Sequence, residues 1–109
     1  MSKATYQYRG EAIDFTNGTG AKIEALEIVA VGSHVGVAAA DIEDGATGAV
    51  HMTGIFEMPK DAAAITQGAD VYLVDGAISA TKGTGAVFAG YAVAAADAGD
   101  DTVLVKLMG

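Results

Sequence analysis

The sequence predicts an all-β domain: a small barrel or sandwich of about eight short strands, with at most one short helix near residues 60–67. Three observations carry this. Apolar and polar residues alternate over short segments, most cleanly in Thr102–Met108, where Val103, Val105 and Leu107 share one side and Lys106 takes the other. Turn signals recur at spacings of roughly ten residues. Asp75-Gly76, between Val74 and Ala77, is the strongest hairpin signal in the chain, because Asp-Gly supplies the positive φ angles of a tight turn.

The elements follow in order. Tyr6 and Tyr8 share a side in ATYQYR, which reads as a first strand. Ile13 and Phe15 make a second, short one. Asn17-Gly18-Thr19-Gly20 is a loop by composition. Lys22 to Val31 is compatible with helix at its start, but Ile28 to Val31 favours a strand, placed from Glu27. His34 to Ala38 is the next strand, and Asp41 to Gly45 an acidic turn.

The central stretch, Gly48 to Asp75, organises the rest. Val50, Met52, Phe56 and Met58 fall on one side of a period-two pattern with Gly54 between them; His51, Thr53 and Glu57 fall on the other, and Ile55 breaks the rule. Pro59 cannot donate to a sheet ladder and should end the strand. Asp61 suits the cap of a short helix over Ala62 to Ile65, closed by Gly68. Val71 and Leu73 begin the next strand, and Ile78 to Thr81 is its return. Ala86 to Ala96 is apolar on both faces and reads as a strand buried on both sides, within the fold or against another subunit. In the closing strand Leu104 and Met108 share the outward side with Lys106, so that face is partly apolar as well. No repeat period is evident, and nothing marks an internal boundary, so residues 1–109 are read as one domain.

Composition removes several function classes. Six basic residues are scattered among 14 acidic ones, for a net charge of −8. A nucleic-acid interface needs clustered Lys and Arg, and an anionic membrane would repel this chain. There is no cysteine, hence no thiol nucleophile, disulfide or zinc–thiolate site. The first ten residues lack the apolar core of a signal peptide, which implies synthesis in the cytoplasm. Lys82-Gly83-Thr84-Gly85 has its lysine on the wrong side for a P-loop. His34 and His51 lie in different strands and read as hydrogen-bonded or solvated histidines rather than metal ligands. The acidic turns at Asp41–Asp44 and Asp97–Asp101 do not match calcium-loop spacing and read as solvated turns. Ser33 and Ser79 lack a nucleophile elbow. No catalytic, metal, nucleotide or cofactor site is expected.

What remains is a small acidic β domain, and here the residues resemble a family. Gly36-Val37-Ala38 followed by Asp41-Ile42, then Gly54-Ile55-Phe56 with Pro59-Lys60, then Gly68, Asp70, Val71 and Tyr72, then Gly90-Tyr91-Ala92 and Thr102 to Leu107, resemble in order and spacing the phage capsid cement (head decoration) proteins. The central Gly54, Phe56, Pro59, Lys60, Gly68, Asp70 and Tyr72 form the most specific part. Members usually carry a Gly-Asp turn before the strand placed at Glu27; this chain has Ala25-Leu26-Glu27, a departure that bears on that turn. Some members carry a recombinase label, against which the missing P-loop argues.

The resemblance implies a non-catalytic virion protein, often a homotrimer, that binds the major capsid protein on the outer surface of an assembled head and holds it against the pressure of packaged DNA. Tyr6, Tyr8, Phe88, Tyr91, Leu104 and Met108 are the candidate interface residues. The alternatives are a glycan-adhesion module on the virion surface and another non-enzymatic head or tail subunit.

Overall fold

The computed structural model describes residues 2–7 and 9–108, with nine strands and no helix among them. They are β1 (Ala12–Thr16), β2 (Ile28–Val31), β3 (His34–Ala38), β4 (Thr47–His51), β5 (Thr53–Pro59), β6 (Asp70–Val74), β7 (Ala77–Ser79), β8 (Val87–Ala92) and β9 (Thr102–Met108). All named pairs are antiparallel, in two sheets ordered β1-β4-β3-β2 and β5-β9-β8-β6-β7. The second sheet curls into a half-barrel, and a parallel bridge between Lys60 and Ile78 brings its far edge back to the end of β5.

Two apolar clusters follow from the alternation. In β3, Val35 and Val37 point toward the five-stranded sheet and join Met58, Ile78, Val105 and Leu107. Ala38 points the other way, to Val29, Val50 and Ile42. Gly36 permits this packing, since a Cβ there would lie 2.5 Å from Val50 Cγ1 and 2.9 Å from the His51 carbonyl oxygen.

The chain is a duplicated unit, which reading the sequence for a period misses. Strand order β1-β4-β3-β2 is repeated as β5-β9-β8-β6, with β7 added at the edge. The loop bonds repeat too. Ile23 and Ile42 exchange backbone hydrogen bonds at 2.9 and 2.7 Å, as Ile65 and Ala96 do at 2.9 and 2.8 Å. Leu26 N–H donates to Ala38 O, as Gly68 N–H donates to Ala92 O, both at 2.8 Å. Ala38 N–H returns to Glu27 O, as Ala92 N–H returns to Ala69 O.

The structure corrects several expectations. Tyr6 lies in an irregular segment and not in a strand; Tyr8 lies outside the described residues. The central alternating stretch is two strands, because the chain passes from one sheet to the other at Met52, so period two continues while the pairing partner changes from β1 and β3 to β9. The helix expected over Ala62 to Ile65 is absent; Asp61 Oδ1 accepts from Ala63 N–H at 3.1 Å in a local turn, and Ile65 is drawn into the bridge to Ala96. Strand β8 is not buried on both faces: Phe88 is 42% exposed and Tyr91 half-buried, while Ala89, Gly90 and Ala92 are buried. A bulge in the β6–β8 pairing between Val71 and Tyr72 shifts the alternation there. The Asp75-Gly76 hairpin forms as expected, with φ of 50° and 81°.

Candidate interaction surface

The outward face of β5 and β9 is built by cross-strand register. Ile55 lies opposite Lys106, Glu57 opposite Leu104 and Thr53 opposite Met108. Ile55 is therefore diagonal to both Leu104 and Met108, and the three form one apolar cluster in solvent, 58%, 41% and 55% exposed. Burying each against a partner would contribute roughly 1 kcal/mol. Next along the face, Lys106 Nζ sits 5.8 Å from the Tyr91 ring centroid. Phe88 meets Tyr72 edge to face, with centroids 5.7 Å apart. Of the expected interface residues, Leu104, Met108 and Tyr91 gather here and Phe88 continues the face. Ile55, read as a break in the pattern, is a central member: its break in polarity was the signal. Tyr6 is 79% exposed and stands apart from this sheet, on the segment before β1.

The residues that form the most specific part of the resemblance lie in and between β5 and β6. Gly54 has φ of 119°, and Phe56 turns inward with its ring 6.1 Å from that of His51. Pro59 is the last residue of β5, opposite Thr102. Gly68 has φ of 84° at its turn, and Asp70 opens β6 opposite Tyr91. Lys60, 9% exposed, points its ammonium at three backbone carbonyls: Asp61 and Asp97 at 2.9 Å, and Asp100 at 3.2 Å. The Asp97–Asp101 turn thus directs two carbonyls at a lysine, and its Asp100 carboxylate accepts from Asp97 N–H at 2.8 Å.

Asn17, fully buried, does the corresponding work in the first repeat. Its amide donates to Ala21 O and Ile42 O at 2.7 and 2.9 Å, and its Oδ1 accepts from Thr19. Its backbone N–H donates to Ala46 O just before β4, as that of Lys60 donates to Asp101 O just before β9.

The other acidic turn is tied down as well. Asp41 accepts from Ala25 N–H at 2.8 Å and pairs with Lys22 at 3.3 Å. That backbone donor, then Lys22, holds the Asp41 carboxyl below its ordinary range; Asp41, then Glu43, holds the Lys22 ammonium above its own. His34 is exposed at the start of β3 and His51 is half-buried in β4 beside Phe56. Among the described residues no group of three or more His, Asp or Glu is placed to hold a metal, and no helix is long and apolar enough to cross a membrane.

A second surface lies where the two sheets meet. Leu26, Ile28, Val37, Phe56, Met58 and Pro59 line an apolar groove of about 250 Å³, with Glu57 at its rim. It runs on past Glu27 to Leu73 and Gly76. Leu26 is 70% exposed and has φ of 70°, the left-handed conformation that favours glycine. The turn over Ala25-Leu26-Glu27 does form, with Leu26 in the conformation that Gly68 takes in the second repeat.

The fold is thus a duplicated all-β unit with an exposed apolar sheet face. The chain belongs to the phage cement protein family, which matches residues 7–107 of its 109. No curated protein and no solved structure matches it. Membership defines a structural protein of the phage capsid.

Proposed function

We propose that this protein, as a single decoration unit, binds the major capsid protein on the outer surface of an assembled head and stabilises it without catalysis. Family membership over residues 7–107 carries this reading. The exposed Ile55, Leu104 and Met108 cluster supports it, since an exposed apolar patch on a sheet face suits a protein partner. Self-association as a homotrimer would give each unit several capsid contacts at once, and multivalency turns weak contacts into lasting attachment. Binding only the assembled shell stabilises that shell by linkage. The acidity of the chain disfavours nucleic acid as a partner. Synthesis in the host cytoplasm precedes attachment, and neither metal nor cofactor is required.

Tyr91, Leu104 and Met108, with Ile55, are the residues proposed to make contact; Phe88 and Tyr6 are secondary candidates. The test is co-sedimentation of an Ile55→Glu/Leu104→Glu variant with undecorated heads. The changes are on an exposed face and should leave the fold intact by circular dichroism. Loss of binding with an intact fold is the expected result; undiminished binding would move the contact off this face.

A further inference from the structure

We infer that the groove beside Leu26 receives residues 2–10 of a second copy of this chain, laid in extended form along the open edge of β2. Four observations meet here.

The first is charge. Lys3 and Arg9 lie in a ten-residue segment without an acid, while the other four basic residues share the rest of the chain with all 14 acidic ones. The groove's rim carries Glu27 and Glu57, and no basic residue lines its two openings. A cationic segment and an anionic groove within one chain are complementary between copies.

The second is topology. β2 is an edge strand of its sheet, so backbone donors and acceptors along it suit an added strand. Residues 2–10 lead into β1, at the opposite edge of the four-stranded sheet from β2. A segment leaving one edge and a groove at the other make a head-to-tail contact, which closes into a ring when the rotation allows.

The third is the segment itself. Among the described residues of 2–10, all are exposed and the hydrogen bonds are local, Gln7 to Thr5 and Arg9 to Glu11. Tyr6, 79% exposed, offers an aromatic anchor of the kind that fills an apolar pocket.

The fourth is Leu26. A leucine held at φ of 70° with its side chain 70% exposed is strained without burial to offset it. Packed against Tyr6 of a neighbour, that side chain gains the burial it lacks.

This contact is between copies and does not depend on the capsid reading. The test is sedimentation equilibrium of the full chain at low salt, with Lys3→Glu/Arg9→Glu, Glu27→Lys/Glu57→Lys and the combined fourfold variant. The wild type should self-associate and weaken with added salt. Each double variant should weaken association about tenfold, and the fourfold variant should recover most of it. Leu26→Gly should also weaken association while leaving the fold intact. A wild type that stays monomeric, a double variant that associates normally, or a fourfold variant no better than the doubles would each overturn the inference. A monomer whose head binding is lost in Glu27→Lys/Glu57→Lys would assign the groove to the capsid instead. Failure to bind heads, with association behaving as described, would count against the capsid reading alone.

Discussion

Leu26 and Gly68 occupy equivalent turns of the two repeats, each in the left-handed conformation and each donating its N–H at 2.8 Å to the alanine that follows a Gly-Xaa pair, Ala38 or Ala92. Only one is a glycine. The left-handed region costs a residue with a Cβ roughly 1–2 kcal/mol, while glycine loses more entropy on folding. Leu26→Gly should therefore stabilise the isolated protein by roughly 0.5–1 kcal/mol. In a urea titration the midpoint should rise at unchanged slope; a lower midpoint would show that the leucine packs within its own chain more than its exposure implies.

The second prediction concerns the paired anchors Lys60 and Asn17. Lys60→Met keeps most of the buried stem but leaves the carbonyls of Asp61, Asp97 and Asp100 without the ammonium. Asn17→Ala strips two carbonyl acceptors of their donor and Thr19 of its acceptor. Asn17→Ala should cost about 2–3 kcal/mol in chemical denaturation, because the Ile42 carbonyl is left buried and unpaired, and Lys60→Met about 1–2 kcal/mol, because its three acceptors are only partly buried. A loss below about 1 kcal/mol would mean that water replaces the side chain.

Gly90 makes a third test. A Cβ built there would fall 1.9 Å from the Lys106 carbonyl oxygen, a backbone atom that side-chain movement cannot relieve. Gly90→Ala should destabilise by at least about 3 kcal/mol or prevent folding. Gly83→Ala, where a Cβ meets nothing within 4 Å, is the control and should be nearly neutral. Equal behaviour of the two variants would contradict the close approach of β8 to β9.

The Asp41 carboxyl is held below its ordinary value of 3.8, so the folded state binds its proton less readily than the unfolded state. Its stabilising contribution is present above that value and is lost as the pH falls below it through the folded-state value. Lys22 is raised from 10.5, so its contribution holds below that pH and fades above it. Both groups face solvent, and the effect should be small and diminished by salt. The stability difference between the wild type and Asp41→Asn should be flat at neutral pH and close in acid. A difference that persists at pH 2, an acidity well below the ordinary carboxylate range, would contradict this assignment.

Much of the fold was legible in particular residues. The alternation of Val103, Val105 and Leu107 against Leu104, Lys106 and Met108 is the burial pattern of β9. Asp75-Gly76 marks a real hairpin, and Pro59 a real strand end. The duplication was not legible. The insertion of β7 moves the spacing between equivalent residues from 42, for Ile23 and Ile65, to 54, for Ile42 and Ala96, so no fixed period exists to find. The sheet change at Met52 was hidden because alternation reports which side faces the core, not which strand lies alongside. Leu104 and Met108 were legible on the outward face because they share a strand side with Lys106, whereas the place of Tyr91 opposite Lys106 depends on the register of β8 against β9. Leu26 could be noticed as a departure from glycine, but its exposure and its groove depend on a neighbouring strand from the other repeat.

Attachment to the capsid is tested by the thermal stability of heads. Purified protein is mixed with expanded, undecorated heads of its own phage, unbound protein is removed by sedimentation, and the shell's melting is followed by calorimetry. A fixed, saturating copy number and a melting temperature that rises with occupancy would follow from attachment to the assembled shell. Heads that sediment without the protein, or that carry it and melt unchanged, would contradict the account.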